Sequence, residues 1–383
     1  MRVLYWTEQF WPYIGGVEVL GVEFVRALTD RGHEVTVLTS HGSLDLPDVD
    51  EHEDVPIHRF PFLRALAERD IDALARALEG VAAVKRKVLP DVVHLRFTDP
   101  SVLFHLKTED GSRVPLLVSI EVMLPEAEAG PGSLVGRVLR RADHVTAVSH
   151  ATLDGARRLV PEIHARSSVV YNALPRSGRP PTPPPMDRPL ITCIGRVVED
   201  KGFDLAIRAM PRIVEFRPDA RLTIAGDGPA RGALESLAAD LGVADAVFFA
   251  GWIPPERIPV LIEESTLVVV PSRWEEAFGL VALEAARGMR PVVATRVGGL
   301  PEVVADGETG IVVPPEDPDA IANAVLTLLG DPATAETMGG AAAERARRNF
   351  GFERYVDEYE TLYDQLQDGR PAHAGAELPP SHG

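Results

Sequence analysis

A single cysteine in 383 residues excludes an internal disulfide framework and a thiolate cage for a metal. That residue, Cys193, lies in the apolar run Leu190 to Ile194, which reads as a buried strand and not as a reactive thiol. Long apolar runs are missing as well: none approaches the roughly 18 to 20 residues that a membrane-spanning helix needs. The chain opens on a strand pattern, Arg2 to Trp6, with no charged segment and apolar stretch ahead of it, so the expectation is a cytoplasmic protein. Positive charge is scarce. Against 57 Asp and Glu stand 39 Lys and Arg, a net −18, which argues against a nucleic-acid partner. The basic clusters that do occur, Lys85-Arg86-Lys87 and Arg137, Arg140, Arg141, end predicted helices, where cations meet the helix dipole and stay solvated.

What is present is regular alternation. Strand-like runs at 3–6, 35–39, 92–95, 116–120 and 144–148 are separated by helical stretches, and 169–171 closes the set. Such alternation predicts an α/β domain with a parallel sheet, here residues 1–174. Residues 175–189 are dense in proline, which continues neither sheet nor helix, and read as an interdomain linker. The alternation restarts at 190–194, 221–225, 247–250, 267–270, 291–294 and 310–313, giving a second doubly wound domain over 190–350. Residues 351–367 carry Tyr355, Val356, Tyr359 and Leu362 at helical spacing, and 368–383 look disordered. Ligands of doubly wound sheets bind beyond the carboxyl ends of the strands, so two facing domains predict a cleft between their strand ends.

The richest stretch is 272–310. Strand 267–270 runs into Pro271 and a polar loop carrying Glu276; a helix over about 279–287 comes next and stops at Gly288. A helix N-terminus presents unpaired N–H groups and partial positive charge, a natural seat for an anion. Glu284 lies early in that helix, and side chains tilt toward the N-terminus, so two carboxylates flank one phosphate-sized site. Arg196 follows strand Leu190 to Ile194 almost directly, and Lys201 precedes Gly202 and another helix. Two cations at such a strand exit suit a diphosphate leaving group without a metal. Gly15 and Gly16, between the first strand and a helix that Glu18 opens, allow close backbone approach to a ligand, though a simple turn uses the same residues.

The order Glu276, seven residues, Glu284, with Phe278-Gly279-Leu280 between, resembles the Glu-x7-Glu motif of retaining family-four glycosyltransferases, whose two-domain fold is called GT-B. The likeness runs over about 3–365: residues 12–18 with 28–37, Asp91-Val92-Val93-His94, residues 142–149, Gly195-Arg196 with Lys201-Gly202, and Ala225-Gly226-Asp227-Gly228-Pro229 occur in the family's order. It implies two Rossmann-like domains facing across a cleft, the first on the acceptor side and the second holding a nucleotide-sugar donor, with the 351–367 helix crossing back to the first. It implies retaining transfer of a hexose or N-acetylhexosamine from a nucleoside-diphosphate sugar to a small-molecule or glycan hydroxyl. It implies too that no metal or other cofactor takes part. Uridine diphosphate is the default nucleotide and guanosine the alternative. In these roles Arg196 and Lys201 hold the diphosphate, beside Gly15 and Gly16. Glu276 lies at the reacting face of the sugar, Phe278, Gly279 and Leu280 offer N–H groups, and Glu284 holds the ribose hydroxyls. Some members touch anionic membrane through a basic, apolar helix, which the overall charge here opposes. The rivals are a sugar-nucleotide epimerase or phosphorylase on the same fold and a non-catalytic nucleotide-sugar binder. Nothing in the sequence speaks to an oligomeric state.

One position departs from the family. A donor-contacting histidine commonly follows the strand at 116–120, and here Glu121 stands there, either as a catalytic or sugar-contacting carboxylate or as an incidental strand-end residue. On the first reading, Glu121→Gln alters sugar preference more than stability. His94 reads as a core residue. Gly226-Asp227-Gly228 is not a dinucleotide fingerprint, because the last glycine of that pattern comes one residue late, at Gly232. Asp48-Val49-Asp50 has the Asp-x-Asp form of metal-dependent transferases but reads as a solvated acidic loop. Glu275 neighbours Glu276 without the motif's spacing.

Overall fold

The computed structural model describes residues 1–13, 15–96, 100–109, 111, 113–125, 132–175, 180–274, 276–370 and 372. Part of the proline-dense stretch (176–179), part of the 121–135 loop (126–131), Glu275 and nearly all of the tail lie outside the described residues. The chain divides into two compact units: Met1–Tyr171 with the segment from Glu353, and Asn172–Phe352. Five helices position the residues of interest: α1 (Gly16–Asp30), α2 (Phe203–Phe216), α3 (Leu280–Arg287), α4 (Pro332–Asn349) and α5 (Phe352–Gln367).

In the first unit β1 (Arg2–Trp6), β2 (Glu34–Ser40), β3 (Val49–His52), β4 (Val55–Phe60), β5 (Val92–Leu95), β6 (Leu116–Ile120), β7 (His144–Ala147) and β8 (Ser167–Val169) form one sheet, in the order β3-β4-β2-β1-β5-β6-β7-β8. Neighbours run parallel except β3 against β4. Val3, Leu4 and Tyr5 are fully buried, as the continuous apolar run of a strand covered on both faces requires. The β3–β4 hairpin corrects the acidic-loop reading of Asp48-Val49-Asp50, since Val49 and Asp50 lie in a strand. Val-Asp-Glu-His carries little strand propensity, but Asp50 accepts from Arg59 Nη1 at 2.9 Å, and charge suits an edge strand that must not recruit another chain. The last strand also sits two residues earlier than its apolar signal, because Ala147 pairs with Val169.

A polar cluster inside this sheet, His94, Ser119 and Thr146, is completed by α5. His94 Nδ1 meets the Tyr363 hydroxyl at 2.7 Å and Nε2 meets Ser119 Oγ at 2.8 Å; Ser119 Oγ continues to Thr146 at 2.6 Å and Tyr359 at 3.1 Å. Burial pushes the His94 imidazole down to about 3, helped by the nearby Arg96 charge, so it stays neutral. A buried network with its partners in place is tolerable; one missing a member is not.

The second unit contains β9 (Leu190–Ile194), β10 (Arg221–Ala225), β11 (Val247–Gly251), β12 (Leu267–Val270), β13 (Val292–Thr295) and β14 (Gly310–Val313), all parallel in the order β11-β10-β9-β12-β13-β14. The order reverses beside β9, and β9 and β12 adjoin there, so the loops leaving their carboxyl ends are neighbours. Cys193 is fully buried in β9 and its thiol is pushed up by desolvation, which makes it inert. The described part of the proline-dense stretch is fastened to this unit. Arg287 Nη1 donates to Pro175 O at 2.7 Å, Arg290 Nη1 to Thr182 O at 2.6 Å and Thr266 Oγ1 to Pro185 O at 2.6 Å.

Candidate active site

At the carboxyl ends of β9 and β12 the structure brings Lys201 and Glu276 together. Lys201 Nζ lies 2.7 Å from Glu276 Oε2 and 3.0 Å from Oε1, and Ser272 Oγ donates to Oε2 at 3.0 Å. Both partners keep about a quarter of their side-chain surface, 28% and 21%, so the pair is open to a ligand. Arg196, at the same strand exit, is exposed, and its guanidinium has no hydrogen-bond or ion-pair partner among the described residues. Among the described residues the Arg196 guanidinium is therefore unpaired, while the Lys201 ammonium is seated on a carboxylate.

Two close backbone approaches force this geometry. Gly202 has φ 64°, and a Cβ there would lie 2.1 Å from Pro271 O, so only glycine lets the Lys201 turn rest against the β12 exit. Gly298 has φ 51°, and a Cβ would lie 2.1 Å from Glu276 O. Next to it Gly299 N–H donates to the same carbonyl at 2.7 Å. Thr295 Oγ1 donates to Ser272 O at 2.6 Å. The glycine pair after β13 thus sets the backbone of Glu276. Sequence reasoning singled out neither that backbone role, nor Ser272, nor Arg273, whose guanidinium binds Asp204. Their only signal is adjacency to the motif.

Gly279 precedes α3, and the first bond closing that helix is Leu283 N–H to Gly279 O at 3.2 Å. The N–H groups of Leu280, Val281 and Ala282 therefore have no intrahelical acceptor. Phe278 is buried, edge-on to Phe350 at 5.6 Å, so its ring packs and its backbone leads into the helix. Glu284, one turn on, is half-buried, and its carboxylate makes no hydrogen bond to the described residues. Desolvation pushes its carboxyl up to about 7, with Arg287 pulling weakly the other way.

The remaining candidates lie in the first unit. Gly15 caps α1 with extended backbone, φ −151°, and Gly16 is the first helical residue, so neither adopts a positive φ. A Cβ at Gly15 would meet only the end of the Glu18 side chain, whose Oε2 lies 2.1 Å away and can swing aside. Glu121 is not an open carboxylate. Its side chain is 0% exposed and accepts from Arg96 Nε at 3.1 Å, while Arg96 Nη1 donates to the Tyr5 hydroxyl at 2.9 Å. The Asp48–Asp50 pair does not converge on a cation either, because Asp48 faces His41 at 2.9 Å and Asp50 faces Arg59. Half of the residues in the basic clusters are engaged as well. Lys85 Nζ donates to His105 O, Arg140 pairs with Glu162 and Arg141 with Glu109. Among the described residues no helix is long and apolar enough to cross a membrane.

The fold matches solved glycosyltransferases over nearly its whole length. Sucrose-phosphate synthase from Thermosynechococcus elongatus superposes with a TM-score of 0.81 at 24% identity, covering 96% of this chain and 99% of that one. The Anabaena protein HepE in complex with UDP gives 0.76 at 20% identity, covering 95% and 100%. Two parallel-sheet α/β units of this kind define the GT-B class of glycosyltransferase. The family model "Glycosyltransferase Family 4" matches residues 14–177 and "Glycosyl transferases group 1" matches 177–345. D-inositol 3-phosphate glycosyltransferase of Acidothermus cellulolyticus is 30% identical over 94% of this chain and 87% of its own. The GDP-mannose-dependent alpha-(1-6)-phosphatidylinositol monomannoside mannosyltransferase of Mycolicibacterium smegmatis is 43% identical, over 43% of this chain and 44% of that one. The chain belongs to glycosyltransferase family 4.

Proposed function

We propose that this glycosyltransferase takes a hexose or N-acetylhexosamine from a nucleoside-diphosphate sugar and transfers it, with retention of anomeric configuration and without a metal, to a hydroxyl of a small molecule or glycan. The observation that carries the reading is the Lys201–Glu276 pair at the strand exit that also bears Arg196, whose guanidinium is unpartnered among the described residues, together with the start of α3. A diphosphate entering there draws Lys201 off the carboxylate, so Arg196 and Lys201 neutralise the leaving group while Glu276 turns to the sugar. The N–H groups of Leu280 and its successors take phosphate or sugar oxygens, and Glu284 takes the ribose hydroxyls. Transfer breaks the bond from the anomeric carbon to the phosphate oxygen and forms one to the acceptor oxygen on the same face. The departing phosphate takes the acceptor proton. UDP is the first nucleotide to try, since HepE binds it, and GDP the second, since the mycobacterial relative depends on GDP-mannose.

Thermal denaturation with UDP, GDP and their glucose, N-acetylglucosamine and mannose conjugates tests the donor, because a ligand of the folded state alone raises its stability. Arg196→Ala and Lys201→Ala are expected to lower turnover of the stabilising donor by roughly 100-fold or more. Near-parental turnover in both variants sinks the diphosphate seat. Binding without any hydrolysis or transfer marks a nucleotide-sugar binder, and activity that exhaustive chelation abolishes overturns the metal-free reading.

A further inference from the structure

The Glu276 loop is fastened through the residue that precedes the exposed Trp274. Arg273 Nη2 donates to Asp204 Oδ2 on α2 at 2.7 Å, and Nη1 donates to the other oxygen of the same carboxylate. Arg273 Nε donates to Glu316 Oε1 at 2.7 Å. The backbone N–H of Arg273 donates to Asp200 O at 2.9 Å, and Nη1 also reaches Glu199 O at 3.4 Å. Asp200 is the residue before Lys201, and Asp204 stands three residues after it. One side chain and its own backbone thus grip both flanks of the turn that carries Lys201, from a loop position three residues before Glu276. A two-pronged guanidinium–carboxylate pair fixes orientation as well as distance, which a lysine's point charge does not.

We infer that Arg273 is a positioning residue for transfer: it holds the β12–α3 loop so that the Glu276 carboxylate and the Lys201 ammonium meet one donor from fixed places. The inference rests on the reading of Glu276 and Lys201 as donor-site residues. Arg273 bonds to neither member of the pair, so it acts through the loop. Other ties remain when it is removed, Thr295 to Ser272 O and Gly299 to Glu276 O, so the loop loosens without being released.

The test is a double-mutant cycle on Arg273→Ala and Glu276→Gln. It uses the full chain and reads release of UDP or GDP from whichever of the six nucleotide sugars stabilises it, with water as acceptor. Arg273→Ala is expected to lower kcat by roughly 10- to 100-fold, the cost of misplacing a catalytic group by about 1 Å, with KM for the donor within about 3-fold of the parent. The same change made on top of Glu276→Gln should cost clearly less than it does alone, because one of the two groups it positions is already lost. Arg273→Lys should recover part of the rate. Asp204→Asn, which weakens the same grip from the other side with little change of shape, should reproduce the loss if Arg273→Ala proves too unstable to assay. Full additivity in the cycle, or kcat within about 2-fold of the parent in both Arg273→Ala and Asp204→Asn, overturns the inference. A fully active Glu276→Gln instead removes the reading of the site beneath it, whatever Arg273→Ala does.

Discussion

Folding moves the Glu284 carboxyl from an ordinary 4.5 to about 7, because the start of α3 desolvates it and supplies no hydrogen bond in return. Between those values the native state holds a proton that the unfolded chain has released. This group's contribution to stability is therefore full below about 4.5, declines as pH rises and is lost above about 7. Glu284→Gln removes the dependence. The variant should match the parent near pH 4.5 and exceed it by on the order of 2 kcal/mol at pH 8, read by urea denaturation across that range. A difference that does not change with pH would show that the carboxyl is not perturbed. If Glu284 holds the ribose hydroxyls, UDP affinity should rise from pH 6 to 8 more steeply in the parent than in Glu284→Gln, since only the ionised carboxylate accepts two hydroxyl bonds. Glu121 is buried in an ion pair with Arg96. Removing one member of a buried ion pair leaves the other charge uncompensated, so Glu121→Gln should cost about 3–5 kcal/mol, and Arg96→Met with Glu121→Leu should recover most of it. Denaturant titration decides: unchanged stability with altered sugar preference would return Glu121 to the donor.

At the scale of elements, the loops are held by contacts that leave no room for a methyl group. Gly298→Ala places a Cβ against the Glu276 carbonyl and a non-glycine residue at φ 51°. It should destabilise by about 1–3 kcal/mol and lower turnover by at least roughly 10-fold, compared by thermal melting and donor hydrolysis. Turnover equal to the parent's would mean that Glu276 does not depend on this backbone. Elements also differ in how legible they are from sequence. Strands buried on both faces announce themselves as apolar runs, so β1, β5, β6, β9 and β12 stand where their residues suggest. The Glu276–Glu284 spacing is visible because seven residues span one loop and one turn of helix. The β3 strand is invisible, since an acidic edge strand is stabilised by Arg59 and not by its own propensity. The Arg96–Glu121 pair and the grip of Arg273 on Asp204 join residues 25 and 69 positions apart, and no local pattern encodes such a distance.

For the molecule as a whole, the first unit draws on residues from far apart in the chain. Tyr355, Tyr359 and Tyr363 on α5 are buried against Phe24 and His94, and two of them complete the hydroxyl network inside the sheet. A chain ending at Gly351 should therefore keep the cooperative melting of the second unit but lose slow hydrogen exchange in β5, β6 and β7, because the network of His94, Ser119 and Thr146 would lose its tyrosines. Exchange followed by mass spectrometry on the shortened and full chains makes the comparison, and unchanged protection in those strands would show that α5 is dispensable to the sheet. The same dependence shapes biosynthesis. His94 and Tyr363 are 269 residues apart, so at 5–20 residues per second a ribosome delivers the tyrosine roughly 15 to 50 s after the histidine. Throughout that interval the sheet made first lacks its closing helix. By the time the helix emerges, every strand of the sheet made second has already been synthesised. The unit translated first is thus the last to be completed, and the second can reach its native packing while the first still waits on the nascent chain.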